Sequence, residues 1–462
     1  MSVIGTPTGM SVPLRVARVS VAILIAINLI NYIDRYVLSS VEPLVRDAFF
    51  QKGDPNAKGQ MGLLATAFLV TYMLAAPLFG WMGDRMKRWT IIGVGVVLWS
   101  LATGACGLAS SFSMLLFFRI LVGVGEAAWG PIAPTVIADM YPVEKRGTVL
   151  AWFNVALPVG SALGYVIGGQ VAKLMNGYGP QIGLDAREGW RWAFLIVMPP
   201  GLLLGAWALF RKDPPRGAAE KVPSTHRFRF QDALLLFKIP SYLWNLAGMT
   251  LMTFAVGGMS FWMPTYIHEF RMRGGTDAAG QAQLADINLI FGGITVVTGL
   301  AGTIVGGYLG DWLRPRLKGG GAYLKLSGWA MMAAFPFFLL VLHAPFPWAW
   351  VAMGACLFLA FMNTGPTNTV IANVVPPGMR ATGYAVAILV LHALGDAISP
   401  PLIGAITDRF KTDDGRGNMN LAFNVVGVTI FLAGVCWYRG ARYLARDTEL
   451  APTRRSADSG SR

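Results

Sequence analysis

Asp34, Arg35, Arg119 and Glu126 are ionisable residues set inside stretches of this sequence that are otherwise apolar. Asp34 and Arg35 lie in "NLINYIDRYVL", residues 28–38, with Asn31 one turn earlier; Arg119 and Glu126 lie in "FFRILVGVGEAAWG", residues 117–130. Two acids and two bases form a set that is neutral when every member is charged. Protonating one acid leaves an unmatched cation, so pairing, hydration and helix approach change together. This is the chemistry of a proton-driven switch, with Asp34 the first choice as proton carrier and Glu126 the second. A permanent ion-pair lock that holds the first helix in place is the competing reading. Neither metal-ligand spacing nor a nucleophile with its base accompanies these residues, so the sequence does not read as an enzyme and calls for no cofactor and no metal.

The surroundings explain why such charges are notable. Of the 462 residues 54% are hydrophobic and only 13% charged, with a mean hydropathy of +0.52, whereas a soluble chain is about a quarter charged. Apolar runs of about 20 residues recur to the C-terminus, each able to cross roughly 30 Å of hydrocarbon as a helix. The net charge of +14 crowds into alternate loops: Arg85, Lys87 and Arg88; Lys145 and Arg146; Arg211 to Lys238; Arg314, Arg316 and Lys318; then the tail. That bias places both termini and the central loop in the cytoplasm of a multi-pass cell-membrane protein, and it accounts for the charge without nucleic acid. Cys106, Cys356 and Cys436 are far apart in apolar segments and form no disulfide framework. The N-terminus lacks the short apolar core and cleavage site of a signal peptide, so the first helix is expected to stay.

Run length and punctuation predict an all-α protein of twelve spans, near 16–42, 60–83, 89–110, 113–140, 147–173, 190–211, 241–268, 284–312, 322–343, 346–374, 380–408 and 419–445. They divide into a six-helix bundle over 1–211, a linker over 212–240, a second bundle over 241–445 and a tail over 446–462. An internal repeat supports the division. "GWMGDRMKRW" (80–89) and "GGYLGDWLRPRL" (306–317) both place a Gly four residues before an Asp at the end of the second span of their half. "YPVEKRGTVLAWF" (141–153) and "VPPGMRATGYAVA" (375–387) both open a fifth span with Pro and Arg. Parallel halves of this kind belong to transporters that rock around a central site.

These motifs carry a resemblance. Gly80, Asp84, Arg85 and Arg88 resemble the loop signature of the major facilitator superfamily, echoed by Gly307 and Asp311, although Lys87 stands where that loop usually has Gly. "NYIDR" (31–35), "RILVGVGEAAWGPIAPTVIADMYP" (119–142) and "LPVGSALGYVIGG" (157–169) are similar to the spinster subgroup. The resemblance implies two pseudo-symmetric six-helix bundles, a cavity lined by the first and fourth spans, and transport of a lysophospholipid or sphingolipid. It also implies that the loop is a cytoplasmic latch, with Asp84 near a facing helix N-terminus and the bases paired to acids such as Asp139 and Glu144.

Depth follows from helix rise alone. Asp34 and Arg119 lie ~12 and ~9 Å below the outer boundary, and Glu126, seven residues after Arg119 on the same face, lies ~10 Å deeper. Arg35 points about 100° from Asp34, so one arrangement open to the four has Arg35 on Glu126 and Asp34 on Arg119. Asn31 shares a face with Asp34, either to orient it or to cap a distortion. Gly160, Gly164 and Gly168 form a small-residue face on the fifth span, which reads as helix packing because Tyr165 stands where an exporter signature has Pro. "GVGEAAWG" follows no strand and is no nucleotide site.

The span cores of the second half hold no Lys or Arg. They offer Asn245, Asn363, Thr364, Asn368, Asn373, Tyr384, His392, Asp396 and Trp262 as candidates for a neutral cavity wall, with Asp396 an acid lacking an obvious basic partner. Balanced charge in the first half and a neutral second half suit an amphipathic or zwitterionic substrate better than a dianion. The expected partners are thus a lipid-like or amphipathic small molecule, protons and the bilayer, with the chain acting as a monomer. A proton-coupled carrier of small organic acids or drugs is the alternative, and a non-transporting receptor or scaffold the second.

Overall fold

In the computed structural model, residues 13–141, 143–178, 181, 188–215, 234–317, 321–376, 379–412 and 417–451 are described, with the side chains of 143–148, 151 and 381 outside that set. The described chain is helical apart from one β-bridge, Lys411 to Gly417. The first half runs through α1 (Leu14–Phe49), α2 (Ala57–Gly83), α3 (Arg88–Cys106), α4 (Phe112–Ala127), α5 (Ala133–Met140), α6 (Val143–Tyr178) and α7 (Gly189–Leu209). The second runs through α8 (Pro240–Thr265) with a π turn at Tyr266–Arg271, α9 (Ala278–Leu313), α10 (Ala322–His343), α11 (Trp348–Phe361), α12 (Thr364–Val374), α13 (Arg380–Leu391) with a π turn at His392–Asp396, α14 (Ser399–Arg409) and α15 (Met419–Leu450).

Among the described residues eleven helical stretches are long and apolar enough to cross a membrane. The twelfth expected crossing, 113–140, is present as two pieces, because α4 ends at Ala127 and α5 starts only at Ala133. Pro131 and Pro134 explain the interruption, since neither can donate a backbone hydrogen bond and both crowd the preceding turn. The fourth crossing of the second half is interrupted as well, between α11 and α12 at Met362 and Asn363. Interrupted helices at matching positions of two repeats mark the binding regions of transporters.

Caps and close approaches set the rest. Ser111 Oγ accepts from the Met114 N–H at 3.2 Å to start α4, and Asn418 Oδ1 accepts from the Leu421 N–H at 3.0 Å to start α15. The glycine face of α6 lies against α1: a Cβ on Gly164 would stand 2.7 Å from the Ile33 carbonyl oxygen and 2.8 Å from Tyr36 Cβ. Helix packing is therefore what these glycines provide, as their spacing predicted.

Two compact units result. One comprises the described residues of Met1–Pro223 with Phe261–Gly293, the other those of Ser224–Ser260 with Ile294–Arg462. In the first, α1 packs on α6 and α7, and α3 on α4 and α7; in the second, α10 packs on α11 and α15.

Candidate functional site

Helix α1 brings Asn31, Asp34 and Arg35 into the interior of the first unit, and α4 brings Arg119 and Glu126. Arg35 Nη2 lies 2.7 Å from Glu126 Oε2, and Arg35 Nε donates to the same oxygen at 2.8 Å. The Arg35 guanidinium is boxed by aromatic rings, 5.2 Å from Tyr32, 5.0 Å from Phe68 and 5.5 Å from Tyr72. Arg119 faces the same Phe68 ring at 5.0 Å. One ring therefore stands against two cations, and its negative face relieves part of their repulsion.

The other half of the expected pairing is absent. Asp34 and Arg119 are 0% and 2% exposed, yet among the described residues neither forms an ion pair. Asp34 Oδ2 receives only a long hydrogen bond, 3.5 Å from Thr103 Oγ1. Asp34 Oδ1, Arg119 Nε and Nη1, Glu126 Oε1 and Asn31 Nδ2 have no hydrogen-bond partner among the described residues. The reason is geometric: Glu126, at the last turn before the α4 break, captures Arg35, and Arg119 turns to the Phe68 ring instead of to Asp34. Asn31 consequently does not orient Asp34 through a hydrogen bond. An unmatched carboxylate and an unmatched guanidinium in one interior can exchange a proton or take up a polar group far more readily than a closed pair.

Around the break, neutral groups are better satisfied. Asn28 Nδ2 donates to the Phe153 carbonyl at 2.9 Å, and Trp129 Nε1 donates to Asn28 Oδ1 at 3.3 Å. The matching break in the second unit is held by Asn363, fully buried, whose Nδ2 donates to the Leu359 and Ala360 carbonyls at 3.2 and 3.1 Å. Asn363 thus clamps the helix interruption and is no cavity wall. Thr364 and Asn368, one turn apart on α12, are exposed, and Tyr384 Oη donates to the Asn368 carbonyl at 2.7 Å. His392 corrects the reading of Asp396 as an acid without a basic partner: its Nδ1 lies 3.0 Å from both carboxylate oxygens. Trp262 is fully buried, edge-on to Phe261, and falls with the first compact unit. It is core and belongs to no second-half wall.

At the loop after α2, Arg88 Nη1 meets Asp139 Oδ2 at 2.5 Å, the pairing expected of a latch. Among the described residues Arg85 joins no acid; it stacks on Trp81 at 4.3 Å and donates to the Trp81 carbonyl at 3.1 Å. Gly80 lies against Pro131 with room for a Cβ, which would stand 3.9 Å from it, and Asp84 closes the C-terminus of α2. Glu144 lies outside the described side chains. In the second unit Asp311 accepts from Tyr323 Oη at 2.7 Å. Sequence reading missed Asp213, whose carboxylate accepts from the backbone N–H of Arg88 and Trp89 at 2.7 and 3.0 Å and so caps α3. The available signal was Lys87, a helix-preceding residue that cannot itself accept from those donors.

The chain matches the Major Facilitator Superfamily over residues 24–400. It is 34% identical to protein spinster homolog 3 of Danio rerio over 470 residues, covering 96% of this chain and 89% of that protein. It is 35% identical to protein spinster homolog 1 of Homo sapiens over 412 residues, covering 85% and 73%. A crystal structure of a bacterial homolog to the human lysosomal transporter Spinster, inward-facing and unoccupied, superposes with a TM-score of 0.74 at 23% identity and covers 96% of this chain and 99% of its own. At that identity the likeness speaks for the fold.

Proposed function

Because this chain belongs to the Major Facilitator Superfamily and, within it, to the spinster proteins, it is a multi-pass membrane transporter, and we propose that it moves a lysophospholipid or sphingolipid by proton-coupled alternating access. The observation that carries this reading is the pair of buried, unmatched groups, Asp34 and Arg119, beside the closed Arg35–Glu126 pair. Asp34 accepts and releases the proton, with Glu126 the second carrier. Protonation of Asp34 removes one of the two carboxylates, with Glu126, that act on Arg119, and leaves the unpaired Nε and Nη1 donors of Arg119 to a single anionic headgroup. The Arg88–Asp139 contact, strapped by Asp213, acts as the latch at the cytoplasmic end, with both termini on that side of the cell membrane. Thr364, Asn368 and Tyr384 are the substrate contacts of the second unit.

A carboxylate can equally accept from the unpaired donors of Arg119, which keeps a small organic anion as the second reading. The experiment is flux of a labelled lysophospholipid or sphingoid in proteoliposomes, with and without an imposed pH gradient, for the native chain and Asp34→Asn. Gradient-driven flux lost in the variant is the expected result. Flux indifferent to both gradient and substitution sinks the coupling role, and absence of lipid flux with uptake of an organic acid moves the substrate to the second reading.

A further inference from the structure

Arg35, Glu42 and Arg46 are separated by seven and four residues, so they lie within about 40° of one another on a single stripe of α1. The inner end of that stripe is the Arg35–Glu126 pair. Its outer end, on the positive-inside reading, is a second charge cluster that the transport site does not use. Glu42 is 0% and Arg46 8% exposed. Arg46 Nη1 reaches Glu42 Oε1 and Oε2 at 3.3 and 3.4 Å, while Arg46 Nη2 donates to Glu269 Oε1. Lys58 Nζ lies 3.8 Å from Glu269 Oε2, and Thr265 Oγ1 donates to Glu42 Oε2 at 2.8 Å. Two acids and two bases balance, and the two acids divide a single guanidinium between them.

The placement of Glu269 is specific. It sits in the π turn Tyr266–Arg271, where the added residue per turn redirects side chains and which favours functional positions. Neighbouring bonds tie the same region to the first-half helices: Asn288 Nδ2 donates to the Ser40 carbonyl at 2.9 Å, Asn176 Nδ2 to Gln281 Oε1 at 2.6 Å and Gln170 Nε2 to the Ala285 carbonyl at 3.3 Å. Both helices that carry these partners, α8 and α9, continue beyond Phe261 and Gly293 into the second compact unit. Their outer ends cannot leave α1 and α6 unless these bonds break.

We propose that Arg46 is the bolt of an outer gate: its Glu269 arm breaks each time the outer side opens, and Glu42 stays behind as its counter-ion. The division of labour follows from topology. Glu269 belongs to the helix that departs, whereas Glu42 is one turn away on the same helix as Arg46 and departs with nothing. Without Glu42, opening would strand a buried cation, which costs far more than breaking one arm of a shared pair. The gate rests on the alternating-access reading above and is independent of the substrate and of proton coupling.

The test is the rate at which a maleimide labels Asn288→Cys, a position 0% exposed in the closed contact, in full-length protein held in lipid nanodiscs with Cys106, Cys356 and Cys436 replaced by Ala. Glu269→Gln is expected to label about tenfold faster, the worth of one charge-assisted hydrogen bond, and Glu269→Asp to fall between it and the native residue. Glu42→Gln is expected to label several-fold slower. Opposite signs for the two acids are the signature of the proposal; a common sign, or no change with Glu269→Gln and Glu269→Asp, overturns it. Lipid flux of the same variants in proteoliposomes separates the two conclusions, since lost flux with opposite labelling signs removes only the substrate assignment.

Discussion

The interiors of the two compact units solve the same problem differently. The first unit buries Asp34, Arg35, Arg119 and Glu126 and closes only one pair among them. The second buries Asn245, whose Nδ2 donates to the Thr367 carbonyl at 3.0 Å and whose Oδ1 accepts from Trp437 Nε1 at 3.1 Å. Neutral amides can be satisfied by a local carbonyl and then serve packing. Ionised groups left unmatched cannot settle that way, and they store a response to protons or polar ligands. On the proposed function, the contrast places the proton-coupling groups in the first unit and a neutral amide scaffold in the second.

Four substitutions break or sharpen that contrast. Glu126→Gln carries the largest expected effect: it strands the Arg35 guanidinium, costs about 3 kcal/mol by analogy with broken buried pairs, and abolishes flux, which thermal unfolding and proteoliposome uptake read together. Asp34→Asn separates the two quantities. Gradient-driven flux disappears while stability holds or rises by about 1 kcal/mol, because an unmatched buried charge is removed; a fall in stability comparable to that of Glu126→Gln would mean that Asp34 is a structural partner. In the second unit, Asn245→Ala is expected to lower stability by roughly 1–3 kcal/mol, through loss of its hydrogen bonds to the Thr367 carbonyl and from Trp437 Nε1, and to leave the gradient dependence of flux unchanged. His392→Asn is the smallest, within about threefold in uptake, since the His392–Asp396 pair is partly exposed. Loss of gradient dependence in that variant would erase the contrast by placing a proton site in both units.

Much of this was legible beforehand. Apolar run length located the crossings, and the isolated charges located the candidate site, because a charge that costs several kcal/mol in hydrocarbon is rarely placed there without use. The Arg35–Glu126 pair was among the arrangements helix geometry allowed, and the Arg88–Asp139 pair among those the family resemblance implied. The aromatic box of Tyr32, Phe68 and Tyr72 was not, since aromatic residues are common in every span and nothing in their spacing singles them out. Glu42, Arg46 and Glu269 were passed over because charges near a span end ordinarily reach water. Asp396 was misread because His392, four residues earlier, was considered apart from it although both lie on one helix face.

By itself, then, the sequence determined that this is a helical membrane protein of about twelve crossings, with acids and bases inside the spans of its first half and no Lys or Arg in the span cores of its second, because periodicity, length and the cost of burying charge are local properties of the chain. Which acid holds which base was decided only by tertiary structure. Arg35 had Asp34 beside it in sequence and Glu126 91 residues away, and it took Glu126; Arg46 had Glu42 one turn back and also took Glu269, 223 residues on. Pairing depends on where side chains end in space to within an ångström or so, and helix packing, not sequence spacing, sets that.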